Sequence, residues 1–145
     1  VLNDFAENIE ITKEKIGQHQ LLERSEFRPG NFHDVSFEKN HFDIVFLGHI
    51  CRTEGPELAQ SLIGKAVNAL KSGGQRIVAD YFSDNERKLN AFGVQMGMTM
   101  LANTLNGGVV TFEQMHAWMK DRGLERIRVV EPIGFNMVFV GSKKL

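Results

Sequence analysis

The chain has 145 residues, of which 42% are hydrophobic and 24% are charged, and its formal net charge is −1. This length and composition are ordinary for one globular domain. A net charge so close to zero excludes a broad electrostatic attraction to nucleic acid or to an anionic membrane surface. The single cysteine, Cys51, excludes an intramolecular disulfide and is typical of a reducing compartment, so we expect a cytoplasmic protein.

The first segments of the chain predict a strand, a helix and a second strand. Residues 1–4 are typical of the end of a strand, and residues 7–16 of a helix with an imperfect apolar period. Residues 26–30 predict a short strand at a sheet edge, because Pro29 has no backbone N–H to donate. A loop follows at residues 31–34.

The most informative stretch is residues 42–80, which predicts a strand, a loop, a helix, a turn and a second strand. Residues 42–47 form a short apolar run that is typical of a strand buried on both faces of a parallel sheet. A loop over residues 48–55 leads to Pro56 at the first helical position, where the missing N–H costs nothing. Residues 76–80 predict a strand parallel to the first, as in a βαβ crossover.

Ligands of open parallel sheets bind beyond the carboxyl ends of the strands. In this chain those ends are residues 48–52 and 80–83, which include Gly48, His49 and Asp80. The sequence therefore predicts that a functional site lies at this edge of the sheet.

The C-terminal half predicts two helices. Residues 85–105 predict a helix in which Gly93 and Gly97 allow the close approach of another helix. The turn signal at residues 106–108 precedes a capping box at residues 111–114, with Thr at the cap and Gln three residues on. This second helix ends before a glycine.

The chain closes with two predicted strands, residues 124–130 and 135–140. Residues 132–134 connect them and are too few for a crossover helix, so we expect the two strands to pair antiparallel. The whole order predicts an α/β fold, with a Rossmann-like, mostly parallel sheet that ends in an antiparallel hairpin.

This order resembles the C-terminal part of the catalytic domain of class I S-adenosylmethionine-dependent methyltransferases, in particular the small-molecule O-methyltransferases. The stretches that carry the resemblance are DFAENIE at 4–10, FRPGNF at 27–32, FDIV at 42–45, LKSGG at 70–74, and NGG at 106–108 followed by TFEQ at 111–114. The resemblance implies that residues 1–145 are one partial catalytic domain, truncated at its N-terminus, which lacks the first strand and the glycine-rich loop of the family.

The resemblance also implies cofactor-binding residues near the start of the chain. Asp4 stands where the family binds the ribose hydroxyls of S-adenosyl-L-methionine, and Phe5 would pack on the adenosine. Asn31 stands where the family has an aspartate that accepts from the adenine amino group, and Phe32 would stack on the adenine. The purely structural alternatives are a helix-capping role for Asp4 and core burial for Phe32.

Gly48 and His49 stand where the family contacts the methionine part of the cofactor, in the same cleft as the nucleoside-binding residues. A lone histidine is also often purely structural, and that alternative stays open for His49. We expect no metal site.

The family's general base is absent from this sequence. Arg52 occupies the position of the histidine that deprotonates the acceptor hydroxyl, and a guanidinium cannot take a proton. Asp80 stands where the relatives hold an acid beside that base, whereas Val109 and Val110 stand where they hold a second acid. Arg52 could instead bind an anionic acceptor, or it is simply a surface arginine, so we assign no catalytic residue.

The function that the resemblance implies is methyl transfer to an oxygen of a small-molecule acceptor by direct displacement, in which the protein supplies mainly alignment. We expect this activity of the full-length protein and not of the chain alone, because the glycine-rich loop is missing. Two alternatives remain: a catalytically dead, methyltransferase-like binding module, and a fragment of a nucleotide-dependent oxidoreductase.

The missing first strand also has a structural consequence. In the family it lies between the strands assigned here to residues 1–4 and 42–47, so these strands would expose unpaired backbone edges and apolar faces. Such edges seek partners. We therefore expect a homo-oligomer, with a dimer as the simplest form, and no nucleic-acid or membrane partner.

Overall fold

A computed structural model of the protein describes residues 1–130 and 137–145. These residues form two compact units, Val1–Phe37 (the first unit) and Glu38–Leu145 (the second unit). The predicted start of the last strand at residues 135–136, and its connection at residues 132–134, lie outside the described residues. No helix of the described residues is long and apolar enough to cross a membrane.

The first unit is a βα unit followed by a parallel strand, as the sequence predicts. Strand β1 (Leu2–Asp4) pairs parallel with β2 (Phe27–Pro29), and helix α1 (Ala6–Gln18) follows β1 in the chain. The ladder continues past β2, because Gly30 donates its backbone N–H to the carbonyl of Asp4 at 2.8 Å. The carboxyl ends of β1 and β2 therefore lie side by side.

The second unit is built on a four-stranded sheet with the order β3-β4-β8-β7. Strands β3 (Phe42–Gly48) and β4 (Leu70–Asp80) are parallel, and helix α2 (Cys51–Ala69) joins them. Strands β7 (Leu124–Val130) and β8 (Met137–Lys143) pair antiparallel, and β8 also pairs antiparallel with β4. The predicted α/β fold with parallel strands and a C-terminal antiparallel hairpin is confirmed.

The expectation that β3 is buried on both faces is wrong. Strand β3 lies at the edge of the four-stranded sheet, where Ile44 is 58% exposed and Phe46 is 61% exposed. Strand β4 has a neighbour on each side, and its Val78 is fully buried. The apolar run correctly predicted a strand, but burial depends on neighbours that the run does not encode. The expected exposed edge and apolar face at this strand are confirmed.

Helix α2 begins earlier than predicted and is broken at Gly55. Residues 51–54 are helical, so the predicted loop over residues 48–55 is wrong for this turn. Gly55 interrupts the helix at φ 76°, and Pro56 then starts the long helical segment as predicted. The C-terminal end of α2 is capped by Lys143, whose Nζ donates to the carbonyl of Leu70 at 2.7 Å.

Helix α3 (Ala91–Asn103) begins six residues later than the sequence predicts. The carboxylate of Asp84 accepts the backbone N–H groups of Lys88, Leu89 and Asn90, and so it holds the preceding residues in a turn. This arrangement competes with the helix for the same backbone donors, as short polar side chains commonly do.

The close approach predicted at Gly93 and Gly97 of α3 is present, but the neighbour is not another helix. A Cβ at Gly93 would contact the backbone of Phe82, and one at Gly97 would lie 2.7 Å from the side chain of Val109. These contacts pack α3 on two short parallel strands that the sequence does not predict, β5 (Phe82–Ser83) and β6 (Val110–Thr111).

The capping box of helix α4 (Phe112–Asp121) is present as predicted. Thr111 accepts the backbone N–H of Gln114, and the Gln114 side chain accepts the backbone N–H of Thr111. The helix then buries an apolar face in a core that α2, α4 and the central strands share. Its largest fully buried apolar members are Ile63, Leu70, Phe82, Met115, Met119 and Phe139.

Candidate functional site

The first unit places Asp4 at the carboxyl end of β1. Its Oδ1 accepts the backbone N–H of Phe5 at 2.8 Å and the side-chain amide of Asn8 at 2.9 Å. The N-cap of α1 is Phe5, so Asp4 lies one residue before the capping position and the simple N-cap alternative does not describe it. The side chain of Asp4 is exposed, and Oδ2 has no donor among the described residues.

Asn31 and Phe32 follow the carboxyl end of β2, beside Asp4. Gly30 takes a φ of +136°, and Asn31 then accepts the backbone N–H of His33 on its Oδ1 at 2.9 Å. The ring of Phe32 is half-buried and lies 4.3 Å from the ring of His33, so the alternative of core burial is wrong. Within the first unit, the predicted nucleoside-binding residues come together at one edge.

The aromatic ring of Phe5 is 51% exposed at the start of α1. An exposed aromatic face next to a free carboxylate oxygen is an arrangement that can hold a ribose and a base. The role of these residues stays a prediction.

The second unit brings the ends of β3 and β4 together around Asp80, as the sequence predicts. Asp80 is 1% exposed, and its Oδ1 accepts the Nη1–H of Arg52 and the backbone N–H of Tyr81, both at 2.8 Å. Its Oδ2 accepts the backbone N–H of Arg52 at 3.2 Å. Three of the roughly four acceptor positions of the carboxylate are therefore in use.

The interpretation of Arg52 as a surface arginine is wrong. Its side chain is 17% exposed, its charge is paired with Asp80, and its guanidinium lies 5.1 Å from the ring centre of Tyr81. The backbone carbonyl of Arg52 also accepts the N–H of Gly108 at 2.9 Å. An anionic ligand of Arg52 would have to compete with a buried carboxylate, so Arg52 is poorly suited to be a free anion-binding cation.

His49 lies against this pair and is not a buried structural histidine. Its Nδ1 is 4.0 Å from Oδ1 of Asp80 and is buried without a hydrogen-bond partner among residues 1–130 and 137–145, whereas the whole side chain is 39% exposed. The backbone of His49 is held at φ 55°, and its N–H donates to the carbonyl of Ala79 at 2.8 Å. Gly48, at the end of β3, is exposed beside it.

Sequence reasoning missed Tyr81. Its ring lies 5.1 Å from the ring of His49 and 5.1 Å from the ring of Phe92, so it joins the cluster to α3. The available signal was its place directly after the acid at the end of a predicted strand. The two valines at the expected position of a second acid are packed apolar residues: Val110 is buried in the core, and Val109 packs against Gly97.

Two further ionisable groups of the second unit are buried and unsuited to proton transfer at neutral pH. Burial raises the pKa of the Cys51 thiol to about 12, so this thiol stays protonated. Burial lowers the pKa of Arg76 to about 10, so its guanidinium stays charged. The side chain of His49, by contrast, is partly open to solvent.

This chain is similar to known proteins in sequence and in fold. Residues 2–78 match the family model of the methyltransferase domain. The chain is 27% identical over 101 residues to the tetracenomycin polyketide synthesis 8-O-methyl transferase of Streptomyces glaucescens, which is 70% of this chain and 30% of that protein. It is 33% identical over 76 residues to the L-tyrosine C(3)-methyltransferase of Streptomyces lavendulae, 52% of this chain and 20% of that protein.

The fold is also similar to that of an O-methyltransferase family protein from Burkholderia thailandensis. The TM-score is 0.87 at 23% identity, over 98% of this chain and 42% of that protein, and this likeness shows the fold alone. The chain thus spans less than half the length of each of these three proteins. Because the methyltransferase-domain model matches more than half of the 145 residues, the chain belongs to that family, the S-adenosylmethionine-dependent methyltransferases.

Proposed function

We propose that the whole protein transfers a methyl group from S-adenosyl-L-methionine to an oxygen atom of a small phenolic acceptor. The observation that carries this proposal is the cluster of His49, Arg52, Asp80 and Tyr81 beyond the carboxyl ends of two parallel strands. It supplies a half-exposed imidazole and an aromatic face in a chain whose residues 2–78 match the methyltransferase domain.

The residues of the first unit fit the nucleoside part of the cofactor. The unpartnered Oδ2 of Asp4 can accept from a ribose hydroxyl, and the exposed ring of Phe5 offers an apolar face. Asn31 and Phe32 are proposed to bind the adenine, and Gly48 and His49 the methionine end. When bound, the cofactor supplies an electrophilic methyl group, and the residues of the chain orient the reactants and remove the acceptor proton.

A second candidate is methyl transfer to a ring carbon of a phenol. It is supported by the similarity to the L-tyrosine C(3)-methyltransferase of Streptomyces lavendulae. A phenolate is nucleophilic at oxygen and at the neighbouring ring carbon, so both reactions need the same deprotonation. Mass spectrometry and NMR of the product would distinguish an ether from a new carbon–carbon bond.

Cofactor binding is tested by calorimetric titration of the full-length protein with S-adenosylhomocysteine and, in parallel, with NADH. We expect S-adenosylhomocysteine to bind and NADH not to bind. Because hydrogen bonds to a charged group contribute about 1.5–3 kcal/mol, Asp4→Ala should weaken binding roughly 10- to 100-fold. Asp121→Ala, which removes another exposed acid, is the matched control and should leave the affinity unchanged. Tight binding of NADH alone would favour an oxidoreductase.

Methyl transfer is tested with radiolabelled S-adenosylmethionine and a panel of phenols and aromatic carboxylates. We expect the full-length protein to label a phenol and residues 1–145 alone to label none. Binding of S-adenosylhomocysteine without transfer to any acceptor would instead favour the catalytically dead binding module.

We also propose that the exposed edge strand β3 pairs with a second copy of the chain. Its Ile44 is 58% exposed at an unpaired sheet edge of the second unit. Light scattering at micromolar concentration should show a dimer that Ile44→Lys dissociates, since a charge on an edge strand opposes pairing. Ile11→Lys, at an equally exposed position of α1 (59%), should leave the dimer intact, and a monomeric parent chain would refute the idea.

The buried free thiol of Cys51 suits a reducing compartment, and we propose that the protein is cytoplasmic. Cell fractionation with an antibody to the chain would test this placement, and recovery in an oxidising compartment would contradict it.

A further inference from the structure

We propose that His49 is the base that removes the proton of the acceptor hydroxyl, and that Asp80 is the positioning residue that orients its imidazole. This inference rests on the proposed methyl transfer to a phenol. It assigns the base to a position three residues before Arg52, the guanidinium that occupies the place of the family's base.

The two nitrogens of the His49 ring have different surroundings. Nδ1 of His49 is buried and has no hydrogen-bond partner in the part of the chain that the structure describes, where Oδ1 of Asp80 lies 4.0 Å from it. The side chain as a whole is 39% exposed, so this exposure belongs to its other atoms. The ring thus holds Nδ1 against a buried acid, which leaves Nε2 as the nitrogen for an incoming molecule.

The carboxylate of Asp80 can accept one more hydrogen bond. Oδ1 accepts from Arg52 and from the backbone of Tyr81, and Oδ2 accepts from the backbone of Arg52 alone, so one of the roughly four acceptor positions, on Oδ2, is left for an N–H donor. Nδ1 of His49 lies 4.0 Å from Oδ1, whose acceptor positions are filled, so the gap to Oδ2 has to close by a shift of the ring, and catalytic hydrogen bonds often tighten only when the substrate binds. Closing it would satisfy the buried Nδ1, which otherwise is an unexplained polar atom.

The charges around the ring of His49 suit an imidazolium. The titratable groups that the structure places against His49 are Asp80 and Tyr81, and the guanidinium of Arg52 contacts both of them. Arg52 and Asp80 form a pair of zero net charge, so an imidazolium that forms beside them gains a carboxylate contact without facing an uncompensated cation. The positive φ of His49 is a conformation that only a few per cent of non-glycine residues adopt, and such residues cluster at functional sites.

The step is a simple proton transfer. The O–H bond of the acceptor breaks, its electron pair stays on the oxygen, and the proton forms the N–H bond at Nε2 of His49. The oxygen then takes the methyl group, and the imidazolium returns its proton to solvent after the product leaves. Asp80 fixes the tautomer with the proton on Nδ1, as a carboxylate does for a general-base histidine.

The first test needs no turnover and therefore separates this inference from the proposed function. Nitrogen NMR of the full-length protein with labelled histidine reports which ring nitrogen of His49 carries the proton at neutral pH, with His49→Gln used for assignment. We expect Nδ1–H, and we expect Asp80→Asn to shift His49 towards Nε2–H. A parent protein with the proton on Nε2 of His49 overturns the inference even if methyl transfer occurs.

The second test uses kinetics with the phenol that the acceptor panel identifies. Because general-base catalysis contributes about 10²- to 10⁴-fold, His49→Gln should lower kcat by at least about 100-fold and abolish the acidic limb of the pH profile. The loss should be smaller with a nitro-substituted phenol, which needs less help to ionise. His116→Gln, at an exposed histidine of α4, is the matched control and should keep full activity. Full activity of His49→Gln refutes His49 as the base, whereas inactivity of the parent protein with every acceptor refutes the proposed function.

Discussion

The double glycine at residues 107–108 offers a sharp test of how the cluster around Arg52 is held. A Cβ at Gly107 would contact Oγ1 of Thr104 and would lie 2.7 Å from the carbonyl oxygen of Arg52 and 3.1 Å from that of Thr53. Two of these three neighbours are backbone atoms, which cannot move aside cheaply. At the adjacent Gly108, a Cβ would have no neighbouring atom within 4 Å and the backbone has no positive φ, so an alanine fits there.

The two alanine variants should therefore differ strongly in stability. Overpacking at Gly107 costs about 1–3 kcal/mol. It also strains the bonds from Gly107 N–H to Thr104 and from Gly108 N–H to the carbonyl of Arg52, each contributing about 0.5–1.5 kcal/mol. Gly108→Ala should instead stabilise by about 0.4–1 kcal/mol, because it restricts the unfolded chain. The expected difference in the free energy of unfolding is about 3 kcal/mol.

Urea unfolding followed by the fluorescence of Trp118 measures this difference. Trp118 is the single tryptophan and is 9% exposed in the core of the second unit, so its emission reports unfolding of that unit. With slopes of about 1–3 kcal/mol per molar urea, the midpoints of Gly107→Ala and Gly108→Ala should differ by at least about 1 M. Equal midpoints would refute the reasoning that the turn packs on the backbone of Arg52.

Three other substitutions of the second unit test the burial and charge of single groups. Asp80→Asn should destabilise by about 2–4 kcal/mol in urea unfolding, because it leaves Arg52 with a weaker acceptor, and the double variant with Arg52→Met should recover part of that loss. Arg76→Met should raise the free energy of unfolding by about 1–3 kcal/mol, because Nε and Nη2 of this fully buried arginine have no hydrogen-bond partner among the described residues. A loss of stability in this variant would contradict that reasoning. Backbone donors lower the pKa of Asp84 from 3.8 to about 2, so its contribution to stability is present above pH 4 and is lost as the pH falls towards 2. The urea midpoint of Asp84→Ala should fall less over that range than that of the parent chain or of the control Asp121→Ala.

Local patterns were sufficient for most of the secondary structure. The capping box at Thr111 and Gln114 predicts the start of α4 because both partners lie within four residues of each other. The start of the long segment of α2 is also predicted locally, because Pro56 has no backbone N–H and therefore suits the first helical position. Site positions at the ends of β3 and β4 followed from strand order, since parallel strands bring their carboxyl ends to one edge.

Long-range contacts decided what the patterns could not. Residues 42–47 are apolar except for Asp43, whether the strand is central or at an edge, and only the sheet order exposes Ile44. Arg52 looked like a surface arginine until β4 placed a buried carboxylate 28 positions away in sequence within 2.8 Å of its guanidinium. The sequence alone determined most of the longer elements, their order and the edge at which the polar residues gather, because these depend on neighbours along the chain. Burial, ion pairing and the half-exposed ring of His49 belong to the tertiary structure, because they depend on which atoms from distant segments exclude water.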